Sequence, residues 1–168
     1  MIIKTTSRFT PLIAAVLALL LALPASAKDW DFYRARTLRP NYQRFTTLVD
    51  GNHTMHVSVC APREAFSCMR IDGVATLAVP KGWLPSKWQF EGVQYTLVQK
   101  DAGMMLLGAK VPGAYIRAVN AKGEATEFYY SYERGFFAFQ WMPDPKEKPH
   151  VFISAEKCAP GASEDCRE

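Results

Sequence analysis

The sequence contains few of the residues from which catalytic sites are commonly built. Its 168 residues include only three histidines, His53, His56 and His150, and four cysteines. It has no Gly-x-Ser-x-Gly segment, which marks a large class of serine hydrolases. Its glycines are too dispersed to form a loop that cradles phosphate. The sequence therefore identifies no catalytic residue and no cofactor.

Long hydrophobic runs are absent except near the N-terminus. There, Lys4 and Arg8 precede an apolar run over residues 12–23, and Ala25-Ser26-Ala27 supplies the small residues of a cleavage site. The run is shorter than the roughly 20 residues that a membrane-spanning helix requires. We therefore expect residues 1–27 to be a cleaved secretory signal peptide and residues 28–168 to form a single β-rich domain without a transmembrane segment. The expected location is periplasmic or secreted.

A large charge of one sign is also missing. The net charge is +4, and the signal peptide carries two of the 20 basic residues and no acidic one, which leaves +2 on the mature chain. Charge and compartment both argue against a nucleic-acid partner. Weak attraction to anionic lipid, to cell-envelope polymers or to an acidic protein patch stays open.

All four cysteines lie in two segments of equal length, 60–68 and 158–166, and each segment begins Cys-Ala-Pro and ends in Cys. In an exported chain an even number of cysteines indicates disulfides. Three pairings are possible. The matched spacing favours Cys60 with Cys68 and Cys158 with Cys166, and the rival pairing would join the two segments to each other.

Alternating β-branched and aromatic residues separated by turn residues predict short strands. The chain is thus expected to be mainly β: an antiparallel β-sandwich or small barrel-like domain of about seven to nine strands. Asp29 could cap a short N-terminal helix that ends before Pro40, or residues 28–44 could be an arm that contacts an anionic surface. Asp50-Gly51-Asn52 indicates a hairpin turn. The predicted strands cover residues 44–49, 53–60, 74–79, 93–99, 115–119, 124–132, 136–142 and 151–154.

Two groups of residues were compared with the geometry that a chemical site requires. On a strand, side chains alternate between faces, so His53 and His56 point to opposite sides and cannot share one ion with Cys60. We therefore expect no metal site. Glu124, Glu127 and Glu133 could supply paired carboxylates, but alternation also separates the first two, and solvation of a hairpin is the more economical role.

The aromatic residues between 128 and 141 are the densest group in the chain. Alternation predicts that Phe128, Tyr130 and Tyr132 share one face, as do Phe137, Phe139 and Trp141, and that these faces form a core wall. The remaining two, Tyr129 and Phe136, are then expected outside, where exposed aromatics could bind sugar or protein.

The first cysteine segment carries Arg63, Glu64 and Phe66, which could dock into a cleft, and a closed loop loses little entropy on binding. The leading hypothesis is an exported non-enzymatic binding protein of the cell envelope that uses no cofactor and acts as an inhibitor or immunity factor on another envelope or secreted protein. The expected binding residues are Arg63, Glu64, Phe66, Tyr129 and Phe136. The alternatives are an envelope hydrolase acting on cell-wall glycan and a structural envelope subunit.

Overall fold

The structure is a computed structural model that describes residues 27–35, 48–61, 64–106, 109–142, 146 and 148–167. Within these residues the chain forms ten strands and one short 3-10 helix, Glu164–Arg167. The expected signal peptide lies almost entirely outside the described residues and stays a prediction. The strands are β1 Ala27–Ala35, β2 Leu48–Val59, β3 Phe66–Ile71, β4 Ala75–Pro80, β5 Lys87–Phe90, β6 Val93–Leu106, β7 Ala109–Val119, β8 Ala125–Ser131, β9 Gly135–Trp141 and β10 His150–Ser154.

All ten strands belong to one antiparallel sheet, in the order β4-β3-β2-β1-β10-β9-β8-β7-β6-β5. Consecutive strands pair with each other except β4 and β5, which are the two edges of the sheet, and the pairing of β1 with β10 joins the first strand to the last. The sheet curls until it is nearly closed. The expectation of a mainly β antiparallel fold is confirmed, although the described residues form a single sheet with ten strands rather than about seven to nine.

Two aromatic side chains, one from β5 and one from β6, bind the edge strand β4 across the gap in the sheet. The Trp88 indole N–H donates to the carbonyl of Ala78 at 3.0 Å, and the Tyr95 hydroxyl donates to the carbonyl of Thr76 at 2.8 Å. The two rings stack with centroids 5.4 Å apart. Burial is the main cause that raises the pKa of Tyr95, so its hydroxyl stays protonated as a donor. The link therefore supplies hydrogen bonds where the edges lack a backbone ladder.

Apolar side chains collect on both faces of the sheet. The inner core contains residues from both edges and from the middle of the sheet, so it lies on the enclosed face; its largest members include Phe32, Leu77, Tyr95, Ile116, Phe128, Phe136 and Phe139. The outer cluster lies on the other face of β6 to β10 and consists of Ala102, Met104, Val111, Tyr115, Tyr129, Phe137, Ala138, Val151, Ile153 and Ala159.

A β-bulge in β9 overturns the expected exposure of two aromatic residues. Tyr129 pairs with Ala138 but Tyr130 pairs with Phe136, which leaves Phe137 as an extra residue. The bulge interrupts the alternation of faces. Phe136 therefore enters the inner core, whereas Phe137 joins the outer cluster beside Tyr129. The prediction that Tyr129 and Phe136 are exposed is wrong, because both side chains are 0% exposed: Phe136 faces inward, and Tyr129 lies on the outer face but is covered within the outer cluster.

The expected N-terminal helix is also wrong over the described residues. Residues 27–35 form β1, which pairs with β2 on one side and β10 on the other. Trp30 and Phe32 alternate inward and join the inner core, so the burial available in the sheet outweighs the local helix signal at Asp29. The turn expected at residues 50–52 is instead a continuous part of β2. Pro40 lies outside the described residues.

Candidate functional site

The order of the strands brings both cysteine segments to the same end of the sheet. Neighbouring strands are antiparallel throughout, so β2, β4, β8 and β10 run in one direction and finish at a common end. We call this the cysteine-loop end. It consists of the β2–β3 connection, the β4–β5 connection, the β8–β9 turn and the C-terminal segment 155–167.

The first cysteine loop is a small closed turn at this end. Cys60 and Cys68 form a disulfide, which confirms the expected local pairing. The Ala61 N–H donates to the Glu64 carboxylate at 3.0 Å, and the Glu64 N–H donates to the Ala61 carbonyl at 3.0 Å. Glu64 is exposed and fastens its own loop by this reciprocal pair. Arg63, the other charged residue expected to bind, lies outside the described residues.

Phe66 anchors the first loop and is only partly available to a partner. Its ring lies 4.9 Å from the ring of Phe90, centroid to centroid, and the side chain is half-buried against the inner core. Beside it, the Arg70 guanidinium binds Glu91 through two nitrogens, with Nε 3.0 Å from Oε2. The hydrogen bond from Arg70 is the main cause that lowers the pKa of Glu91.

Trp83 is the most exposed large hydrophobic residue at this end, and the sequence analysis did not select it. Its side chain is 78% exposed in the β4–β5 connection. That connection is fastened to the first cysteine loop, because the Lys81 N–H donates to the Ala65 carbonyl at 2.9 Å. The local sequence does indicate a loop here. Trp83 follows Gly82, which has a positive φ, and precedes Leu84-Pro85 in a segment without strand alternation.

The second cysteine loop packs tightly on the β8–β9 turn. Cys158 and Cys166 form a disulfide, again as the spacing predicts. The N–H groups of Phe136 and Ala159 donate to the carbonyls of Pro160 and Arg134, both at 2.9 Å. Ala159 is buried in the outer cluster. These contacts hold the C-terminal segment against the β8–β9 turn.

The two cysteine loops are linked indirectly through Tyr130 of β8. Burial raises the pKa of Tyr130, and the nearby Ser67 side chain, next to Cys68, acts in the opposite direction through a hydrogen bond. The Tyr130 ring in turn lies 4.9 Å from the ring of Phe136, which the second loop covers. Tyr132 lies in the β8–β9 turn, and its side chain is 67% exposed. Its backbone carbonyl accepts the N–H of Ser163 in the second loop at 3.0 Å. One exposed aromatic side chain therefore accompanies each loop.

The carboxylates that could serve a hydrolase do not converge. Glu124 binds Asn120 before β8 begins, and Glu133 lies in the turn after β8 ends. At about 3.3 Å per residue the strand holds these two positions more than roughly 20 Å apart along its axis. Glu127, between them, accepts hydrogen bonds from Tyr115 and Gln140 on the outer face.

Neither a metal centre nor a membrane span is found among the described residues. They contain no group of three or more His, Cys, Asp or Glu side chains that could hold an ion. No helix in this part of the chain is long and apolar enough to cross a bilayer.

Comparisons with protein-family models, with curated proteins and with solved structures each found no match.

Proposed function

We propose that the protein is an exported, non-enzymatic binding protein of the cell envelope that contacts a protein partner through the cysteine-loop end. The particular role that we propose is an inhibitor or immunity factor. The partner would be another envelope or secreted protein, and the protein would work in the periplasm or after secretion. Two disulfides in the described residues are compatible with such a compartment.

The observation that carries the proposal is the position of Trp83 beside the first cysteine loop. An exposed tryptophan on a constrained loop is a common centre of a protein interface, because it buries a large apolar area. The disulfide and the Lys81 to Ala65 hydrogen bond limit the motion of both segments. Binding would therefore cost little conformational entropy.

The residues of the first loop have different parts in this proposal. Glu64 and Trp83 are exposed and would contact the partner directly. Phe66 would hold the loop in place through its contact with Phe90. Tyr129 and Phe136 have no part in it, since both are buried.

Affinity capture with matched variants tests the proposal. The mature protein is immobilised and exposed to an envelope extract, and the retained proteins are identified. The same capture is repeated with Trp83→Ala and with the control Val98→Ala, which removes apolar surface from β6, where Val98 is 53% exposed. A partner that binds the cysteine-loop end should bind the wild type and the control but bind Trp83→Ala roughly tenfold or more weakly, as loss of a central aromatic predicts.

Isothermal titration with the purified partner then gives the affinity of each variant. The proposal fails if no protein is retained specifically, or if Trp83→Ala and Val98→Ala bind the partner equally well. Glu64→Ala provides a second test within the loop. It should weaken binding without changing the far-ultraviolet circular dichroism spectrum, because the disulfide still closes the loop.

A further inference from the structure

The uncovered outer face of β5, β6 and β7 carries a row of polar side chains that the cysteine-loop end does not involve. Lys87 pairs with Thr96, and Thr96 pairs with Arg117, so the three lie in register on adjacent strands. All three side chains are exposed. Neighbouring strands are about 4.8 Å apart, so the Cα atoms of Lys87 and Arg117 lie about 10 Å from each other. Thr96 lies on the strand between them.

The neighbouring acidic side chains that the structure describes do not neutralise these two cations, so both can bind an anionic ligand. Among the described residues, no salt bridge involves Lys87 or Arg117. Glu127 pairs with Arg117 across the strands, but its carboxylate accepts hydrogen bonds from Tyr115 and Gln140. Two cations therefore flank Thr96 on this face, and the Glu127 carboxylate lies on the strand next to Arg117.

A second polar row runs beside the first. Gln89 pairs with Gln94 across β5 and β6, and both side chains are exposed. Each amide offers two donors and an acceptor, and Thr96 adds a hydroxyl, so the face can bind hydroxyl groups as well as an anion. Among the described residues of this face, Val98 is the one large hydrophobic residue that is more than half exposed, which is little for insertion into a lipid layer.

We propose that this face binds an acidic polysaccharide of the envelope or its surroundings. Lys87 and Arg117 would both approach one carboxylate of the polymer above Thr96, where charge-assisted hydrogen bonds are strongest. Gln89 and Gln94 would bind hydroxyl groups of the next sugar along the chain. Lys87 directly follows the β4–β5 connection that carries Trp83, but the row of side chains continues across β6 and β7, and the proposal does not depend on the protein interface.

Binding to polygalacturonate, a polymer with one carboxylate per sugar, tests this site. The exported protein is titrated against this polymer at increasing salt, with neutral dextran and phosphatidylglycerol vesicles as comparison ligands. The test variant is Lys87→Gln/Arg117→Gln. The control is Lys122→Gln/Lys148→Gln, which removes the same charge from two exposed lysines in the β7–β8 and β9–β10 connections.

Wild-type protein should bind polygalacturonate with an affinity that falls as salt rises, and should not bind dextran. The test variant should bind at least about tenfold more weakly, whereas the control should stay within about twofold of wild type, as loss of two charge-assisted contacts predicts. An equal loss in both variants would show that only net charge matters and would overturn the proposal. Absence of polymer binding, or tighter binding to the vesicles, would overturn it as well.

Trp83→Ala separates this proposal from the preceding one. It should leave polygalacturonate binding unchanged, while Lys87→Gln/Arg117→Gln should leave capture of a protein partner unchanged. If Trp83→Ala also abolishes polymer binding, the polymer binds at the cysteine-loop end and the site on β5 to β7 is wrong.

Discussion

Tyr115 and Tyr129 lie side by side on β7 and β8, with ring centroids 4.9 Å apart, but their hydroxyl groups differ. The Tyr115 hydroxyl donates to Glu127. The Tyr129 hydroxyl is buried without a hydrogen-bond partner among the described residues. Burial is the main cause that raises the pKa of each tyrosine, so both hydroxyls are protonated at neutral pH. The Tyr129 hydroxyl is therefore a cost to the fold, since water would otherwise bind it.

Tyr129→Phe should increase the free energy of unfolding by about 1 kcal/mol, because it removes an unpaired buried hydroxyl and keeps the ring. Urea denaturation measures the difference. Tyr115→Phe is the matched control, since it removes a donor from a carboxylate and should lower stability by about 1 to 2 kcal/mol. A loss of stability in Tyr129→Phe similar to that in Tyr115→Phe would mean that the Tyr129 hydroxyl has a partner.

Gly135 allows the second cysteine loop to approach the β8–β9 turn. Its φ is +76°, and a Cβ there would overlap the backbone carbonyl oxygens of Ala159 and Pro160. Gly135→Ala should lower the free energy of unfolding by about 3 kcal/mol or more, because backbone strain and steric overlap add. Gly123→Ala is the control: its φ is +83° but its Cβ would meet open space. It should cost only about 1 kcal/mol.

The contrast between these two glycines can be measured by thermal unfolding. If Gly135→Ala is no more destabilising than Gly123→Ala, the second loop does not pack on the turn as described. The same region shows why residue exposure was hard to predict. Alternation is a reliable guide only while the register is regular, and the single extra residue Phe137 in β9 reverses the faces of Phe136 and its neighbours.

At the scale of elements, an ion pair joins Arg70 of β3 to Glu91 of the β5–β6 turn. Their side chains are 27% and 45% exposed, so the pair should contribute less than about 1 kcal/mol. Arg70 lowers the pKa of Glu91 in the folded protein below its usual value of 4.5. The contribution is therefore present above that value and lost as pH falls through the folded pKa.

Glu91→Gln should therefore lose less stability than wild type when pH is lowered from about 7 to about 3. Urea denaturation at both pH values gives the comparison. Arg70→Gln should show the same reduced pH dependence, because it removes the same interaction. The double variant should resemble either single variant, and additive effects of the two substitutions would show that the residues do not interact.

The sequence predicted the type of most elements better than their limits. The hairpin of residues 115–131 and the strand of residues 135–141 that follows it were predicted from alternation and turn residues, and the structure contains both. β1 was not predicted, because the local pattern around Trp30 also suits an amphipathic helix. It becomes a strand because β2 and β10 satisfy its backbone on both sides and the inner core accepts Trp30 and Phe32. Such long-range pairing has no local signal.

At the scale of the whole molecule, the proximity of the two cysteine loops depends on strand order. The loops are 98 residues apart in sequence, counted from Cys60 to Cys158. Equal spacing of the cysteines predicted the two local disulfides, but which end each loop occupies follows only from the direction of β2 and β10 in the sheet. Trp83 belongs to the same end for the same reason. The candidate site is thus a property of topology.

The equal sequence separation of the two disulfides, eight residues each, permits a comparison of their roles. In the chain-entropy account, each should constrain the unfolded chain by a similar amount, about 2.5 kcal/mol. Any difference between their removal should therefore come from the folded state. Among its described residues the first loop exposes Glu64 and Ala65, whereas the second covers Phe136 and buries Ala159.

We expect Cys158→Ser/Cys166→Ser to lower the free energy of unfolding by at least about 1 kcal/mol more than Cys60→Ser/Cys68→Ser, because release of the second loop also exposes apolar surface. Binding of the protein partner should show the reverse order. Cys60→Ser/Cys68→Ser should weaken it more, since the loop beside Trp83 would gain conformational freedom that binding must remove. Urea denaturation and calorimetric titration of both variants measure the two effects. If one variant shows the larger loss in both measurements, the division between a binding loop and a structural loop is wrong.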